Sequence, residues 1–545
     1  MSKPDSQHQT LRIVSFGFRN SFVIDSLCSP LRDRLGLFVS PRSALICSFV
    51  ISSLVATATC QDISETITRA VSFYHSHAAS HGGYVYRYSA DFTLREAEGI
   101  PGADTIWIQP PGTPAVGMAM LDAYEATQDE KCLAGAVAAA HAVVRTQLAS
   151  GGWDYSGDFA EKDRDRHLYR YSAEGGLIDR GSILQGEGGW HVWKRHANKN
   201  NYSTFDDDVS QAATRLLVRV DHALDGKDAE IKEAADFALG AILATQYPAG
   251  GWSANWDAWT SAPPPVAMYP VKTASYPAAW PRQWPKDFTG CYVLNDNTHA
   301  TLMSTLILAW QLRGDVKYLE AAKRGGDFLI AAQMPDPQPA WAQQYDAEMR
   351  PAWSRAFEPS AICGRESQSA MWALLKLAAA TGDKKYLAPL PRALAYLRKS
   401  LLPDGRIARY YELQTNKPLY FERGEGGKGF VLTYSDQKAS SNYGWKWESE
   451  LEALESFRQK IERGEKVVFP RVEKERWASP PTEAEIAMIL KEQKADGSWP
   501  VTDEERGWMR DAAGGKKTRP AGGVIYSLDF VQNVKALSAW LRARR

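Results

Sequence analysis

The stretch Glu230–Trp252, EIKEAADFALGAILATQYPAGGW, decides the fold. A helical run ends in a short Gly-Trp turn. Glycine at a helix end can take the left-handed conformation, and the tryptophan then packs back on neighbouring helices. The pattern Q-x-x-x-G-x-W in it, Gln246 to Trp252, recurs from Gln147 to Trp153 and from Gln493 to Trp499. A related run, SETITRAVSFYHSHAA, leads into HGGYVY. Further amphipathic runs at Thr298–Leu312, Lys317–Gln333, Ser367–Ala380 and Tyr386–Ser400 fill the gaps, and strand signals are few and short. Repeated helix pairs with Gly-Trp turns predict an all-α chain, an α/α toroid in which helical hairpins ring a central funnel as an incomplete α/α barrel. The alternative is an irregular helical array. Long Pro- and aromatic-rich loops, such as NWDAWTSAPPPVAMYPVKTASYPAAWPRQWP, interrupt the helices. Loops of that length in a compact fold are usually functional, so they are expected to ring one mouth of the funnel.

Lys plus Arg and Asp plus Glu each number 64, so the net charge is zero and a general nucleic-acid binder is disfavoured. Nineteen Trp and 23 Tyr exceed what a core needs and hint at an aromatic cleft for sugars. At the N-terminus a basic stretch precedes an apolar segment from Ala44 to Ala56 and small residues near Ala58. That pattern reads as a secretory leader over residues 1–60, too short for a membrane span. The expected organisation is a catalytic toroid over 61–464 and a helical extension over 465–545 that belongs to the same toroid. The expected product is a secreted or periplasmic monomer with no stable membrane insertion once the leader is removed. Of six cysteines, Cys28 and Cys47 leave with the leader and Cys60 lies at its edge. Cys132, Cys291 and Cys363 show no zinc spacing and are expected to pack as small apolar residues.

Chemistry concentrates at a few places. In STFDDDVSQAAT, the consecutive Asp206, Asp207 and Asp208 repel one another unless they serve as helix caps or a cation sits among them. In CYVLNDNTHATLMSTLILA, Asn295, Asp296 and Asn297 precede a helical run, with His299 close by as a packing histidine. In GRIARYYELQTNKPLYFERGEGG, Arg406, Arg409 and Arg423 frame an aromatic loop. Between these lies AWAQQYDAEMRPAWSRAFEPSAICGRESQ, carrying Arg355, Glu358 and Arg365. A buried pair of Arg365 with Glu358 would explain both without any catalysis.

Taken in order, these blocks resemble the pectate lyases of polysaccharide lyase family ten, over roughly residues 201–447. The resemblance implies that Asp206 and Asp207 hold Ca2+, with Asp296 a further acid at the metal–substrate site. It implies that Arg423 is the Brønsted base, that Arg409 binds substrate, and that Arg355 lies near the substrate carboxylate, with Arg365 a further candidate. The implied substrate is an acidic polysaccharide, polygalacturonate, cleaved by β-elimination to a 4,5-unsaturated uronate end. Chemistry agrees: a hard cation with oxygen ligands and bidentate arginines both neutralise the charge that builds on the uronate. An arginine base needs a lowered pKa, which clustering of Arg406, Arg409 and Arg423 could supply. One departure stands out, since KASSNYGWKW replaces the Glu-Arg-Arg-x-Gly-Tyr-x-Trp block often found in the family. Two other readings remain open: a glycoside hydrolase using Asp206 and Asp296 as paired carboxylates, and a uronate-binding protein without catalysis. Terpene cyclases share the Gln-Gly-Trp repeats, but FDDD lacks the D-x-D-D spacing and the arginine-rich blocks have no task in hydrocarbon chemistry.

Overall fold

A computed structural model describes residues 59–178, 200–257, 266–267, 269–286, 292–469, 480–511 and 514–544. Residues 1–58, which hold most of the expected leader, Cys291 and part of the Pro-rich loop lie outside the described residues. Among the described residues no helix is long and apolar enough to cross a membrane.

The chain is predominantly helical. Its long helices are α1 (Cys60–Phe73), α2 (Thr113–Thr127), α3 (Glu130–Arg145), α4 (Val209–Ala223), α5 (Ala229–Ala244) and α6 (Thr298–Arg313). They continue as α7 (Val316–Ala332), α8 (Gly364–Thr381), α9 (Leu390–Lys399), α10 (Leu451–Glu462), α11 (Glu483–Glu492) and α12 (Ser527–Arg542). The even-numbered helices touch in succession from α2 through α4, α6 and α8 to α10, and α12 packs against α2. The odd-numbered helices flank them, α1 against α3 and α3 against α5. Helix α2 is apolar almost all round and buried almost all round, as expected of an element covered on every side.

The Gln-Gly-Trp repeat has the same construction at each of its occurrences. Gln147 donates to the carbonyls of Gly151 (3.2 Å) and Ala234 (3.0 Å), and Gln246 to those of Gly250 (2.9 Å) and Ala321 (3.0 Å). Gln493 donates to Gly497 (3.2 Å) and Thr66 (3.0 Å). Each glutamine therefore closes its own turn and reaches the next odd-numbered helix, and the last reaches α1. The indole N–H of Trp153, Trp252 and Trp499 each returns to a carbonyl of its own helix, at Val143 (2.8 Å), Ile242 (2.9 Å) and Ile489 (3.0 Å). Gly250 shows why glycine is required: its φ is +93°, and a Cβ would lie 2.1 Å from the Arg324 carbonyl oxygen.

Two expectations need correction. The run Tyr386–Ser400 is not one helix: a 3-10 turn, Lys384–Leu387, is separated from α9, because Pro389 and Pro391 cannot continue a preceding helix but suit a first turn. Strands are short but more numerous than their sequence signals. A short strand precedes each even-numbered helix, and five of the six pair antiparallel with a strand of the next repeat. Examples are Thr105–Trp107 with Ser156–Asp158, Ser203–Thr204 with Asn255–Trp256, and Tyr292–Val293 with Gln344–Tyr345. Two or three residues are too few for an alternating pattern to stand out.

Candidate functional site

These strand pairs hang the polar turns at the starts of α4, α6 and α8 on one rim. Asp206–Asp208 and Asn295–Asn297 form equivalent 3-10 turns. Asp207 and Asp208 (φ +49° and +63°) and Asp296 and Asn297 (φ +47° and +65°) sit in the left-handed region, which Asp and Asn tolerate better than most residues. Neither turn makes a side-chain cap on the helix it precedes. Capping therefore does not account for the aspartates.

The turns bring Asp206, Asp207 and Asp296 together, with carboxylate oxygens all within 4.8 Å of one another. Asp206 accepts from the Tyr155 hydroxyl (2.9 Å), while its other oxygen is buried without a hydrogen-bond partner. Burial and the Asp296 charge push the Asp206 carboxyl up to about 6. Burial, then Asp206, Asp296 and Glu98, push Asp207 well above the usual carboxylate range. Asp296 behaves oppositely: burial would raise it, but Arg365, Arg409 and Arg355 together hold it below its ordinary value. Asp208 turns away and pairs with Arg215.

Arg365, in the first turn of α8, pairs with Asp296 and not, as expected, with Glu358, whose partner is Arg355. Arg409 is 2% exposed, donates to the Tyr443 hydroxyl (2.6 Å), and lies 3.7 Å from Asp296 and 3.8 Å from Glu366. Arg355 pairs with buried Glu358, which also accepts from Tyr443 (2.7 Å) and Gln343 (3.0 Å). Burial opposes the charge of each arginine, yet the surrounding acids and tyrosines hold all three above the ordinary arginine value. The Arg355 charge conversely brings Glu358 down to about 2 despite its burial. Arg423 does not join this group. It is exposed on the strand Pro418–Arg423 with its guanidinium 4.4 Å from the centre of the Phe430 ring. Phe430 packs on Phe357 (4.7 Å), which in turn lies under Arg355 (5.3 Å). Arg406 pairs with Asp404 (2.8 Å), so of Arg406, Arg409 and Arg423 only Arg409 is seen to reach the acids.

His299 is a packing residue. It hydrogen-bonds the Gly325 carbonyl (2.9 Å) between the rings of Trp252 and Phe328, and its Nδ1 is buried without a partner. Burial lowers its pKa to about 4, so the fold keeps it neutral. An unfolded chain protonates it near 6.5, and the stability present above that pH is lost as pH falls towards 4. The loss amounts to about 3 kcal/mol. Urea titrations between these limits are expected to show a shallower acid slope for His299→Asn than for the unsubstituted protein.

Several neighbours escaped the sequence reading. Gln109 donates to Asp207 (3.1 Å) and to Glu98 (3.1 Å), Tyr155 holds Asp206, and Tyr443 links Arg409 to Glu358. Tyr443 lies in the block that departs from the family pattern. Gln109 and Glu98 carry no local signal at all.

No protein-family model matches the chain, and no curated protein matches it. Among solved structures it is similar to a family 10 polysaccharide lyase from Cellvibrio cellulosa, at 18% identity and a TM-score of 0.39, over 63% of this chain and 97% of that one. A variant of a Cellvibrio cellulosa family 10 lyase in complex with trigalacturonic acid matches at 16% identity and 0.39, over 63% and 98%. A type II terpene cyclase from Scytonema matches at 14% identity and 0.31, over 89% and 98%. At these identities and scores none of the likenesses carries an argument about chemistry, which rests on the chain's own side chains.

Proposed function

We propose that the chain is a calcium-dependent pectate lyase, exported and monomeric, that cleaves polygalacturonate by β-elimination on an α/α toroid. The succession of even-numbered helices from α2 to α10, with α12 packed against α2, supports the toroid. The observation that carries the activity is the knot of Asp206, Asp207 and Asp296 faced by Arg365, Arg409 and Arg355. Three carboxylates crowded within 4.8 Å are at odds with ionisation unless a cation joins them, and they offer only hard oxygen donors. The unpartnered buried oxygen of Asp206 fits the same cation. Asp206, Asp207 and Asp296 would hold calcium, which when bound would neutralise the charge that grows on the uronate carboxylate.

Arg365, Arg409 and Arg355 remain cations and so serve as carboxylate holders rather than bases. The base is assigned to Arg423 on the sequence resemblance alone: the expected cluster with Arg406 and Arg409 does not form, and the Arg423 guanidinium borders the Arg355 aromatic stack. In its neutral guanidine form Arg423 would take the C5 proton, the C5–H electron pair would become the C4–C5 double bond, and the C4–oxygen bond would break with protonation of the leaving oxygen by solvent.

The opposed behaviour of Asp206 and Asp296, one raised and one lowered, favours a second reading, hydrolysis by an acid and a base. One assay separates the two: polygalacturonate at alkaline pH, with calcium and then with chelator. An ultraviolet-absorbing unsaturated product that disappears with chelator is expected. New reducing ends without that absorbance would instead establish the hydrolase.

A further inference from the structure

Gln109 and Glu98 come from the segment before α2, outside residues 201–447 that resemble the lyases, yet Gln109 touches the carboxylate knot and holds Glu98 next to it. Gln109 is 6% exposed, and its side-chain oxygen accepts from the Trp107 indole N–H (3.1 Å). An indole can only donate, so this contact fixes which end of the amide is which. The NH2 end therefore faces acids, donating to Asp207 Oδ2 and Glu98 Oε1 at 3.1 Å each. Glu98 opens to solvent on one side, and its loop is clamped from far along the chain. Arg510 donates to the carbonyls of Ala97 (2.9 Å), Glu98 (3.0 Å) and Gly99 (3.4 Å) and pairs with Glu96 (2.6 Å).

We propose that Glu98 acts on the divalent-cation site from outside its three acids, and that Gln109 is the positioning residue whose amide joins Glu98 to Asp207. The proposal rests on the calcium reading above. Its physical content is a pair of effects with opposite signs. Without a cation, Glu98 adds one more negative charge to a knot that already repels itself. With a cation, the same charge adds attraction. Glu98→Gln keeps the shape and the acceptor for Gln109, so it removes the charge alone.

The test is calorimetric titration of Ca2+ into the full-length protein and its variants, with melting temperatures measured in chelator. Glu98→Gln is expected to weaken Ca2+ binding by about 10–100-fold, the range typical of outer partners of metal ligands, and to raise the chelated melting temperature. Glu98→Asp, which keeps the charge, is expected to retain most of the affinity, and Gln109→Met to lose affinity. Asp207→Asn serves as the control for the cation site itself. If Asp207→Asn loses Ca2+ while Glu98→Gln binds as tightly as the unsubstituted protein, the inference about Glu98 fails and the calcium reading stands. A Glu98→Gln protein that loses both affinity and melting temperature has lost a structural contact, which also overturns the inference. No Ca2+ binding to the unsubstituted protein would remove both.

Discussion

Replacing Asp206 by Asn is expected to make the metal-free protein more stable, by about 3 kcal/mol near pH 8, and at the same time inactive. Burial and the Asp296 charge push the Asp206 carboxyl up to about 6, above the roughly 3.9 of an unfolded chain. The folded state thus binds its proton more tightly than the unfolded state does. The stability tied to that proton is fully present below the unfolded value and is lost as pH rises through about 6. Above that pH the carboxylate stands ionised beside Asp207 and Asp296, and Asn removes the conflict while still accepting from Tyr155. Denaturation in chelator reads the gain, and calcium should stabilise the unsubstituted protein but not the variant. Activity should drop by about 100-fold or more, the size of losing one electrostatic contact to a growing charge. A variant less stable than its parent in chelator at pH 8 would mean that Asp206 is already compensated in the fold, and the case for a cation would collapse.

The residues legible in the sequence were those whose chemistry is local. Gln246, Gly250 and Trp252 announce a turn because one short segment holds the glutamine, the strained glycine and the indole that together close it. Asp206 and Asp207 were legible as a conflict of charges, and Asp296 through its ordered place before α6. What they share was not: both turns carry two consecutive left-handed residues, and FDDDV and LNDNT give no pattern that distinguishes such a turn from an ordinary cap. Glu98 and Gln109 approach Asp207 only once the strand Thr105–Trp107 has settled beside Ser156–Asp158. The contact of Gln493 with Thr66 brings Arg510 to the Glu98 loop in a comparable way, and such long-range placement leaves no local trace. The arginines show the converse limit. Arg406, Arg409 and Arg423 are close in sequence, but strand geometry disperses them: Arg406 to Asp404, Arg409 into the core, Arg423 onto the half-buried Phe430 ring.

That dispersal separates the roles of two arginines by experiment. Arg409→Ala is expected to destabilise the protein by about 3 kcal/mol, because it strips two acids of one of their counter-charges and leaves them to Arg365. The acids concerned are Asp296 and Glu366, the latter 0% exposed with one oxygen already lacking a hydrogen bond. Its lost activity would therefore say little about chemistry. Arg423→Ala should behave differently. The side chain is exposed and rests on Phe430, so thermal stability should move by less than about 0.5 kcal/mol, as for other surface substitutions. As the base it should nonetheless cost about 10²–10⁴-fold in kcat, with KM little changed, since carboxylate binding is left to Arg355, Arg365 and Arg409. Arg423→Lys, an amine of lower pKa than guanidinium, should recover part of the rate and shift the pH profile towards lower pH. Full activity of Arg423→Ala in a normally folded protein would remove it as the base. The proton would then have to be taken from C5 by some other group at the rim, and not by Arg355, Arg365 or Arg409, whose neighbours hold them charged.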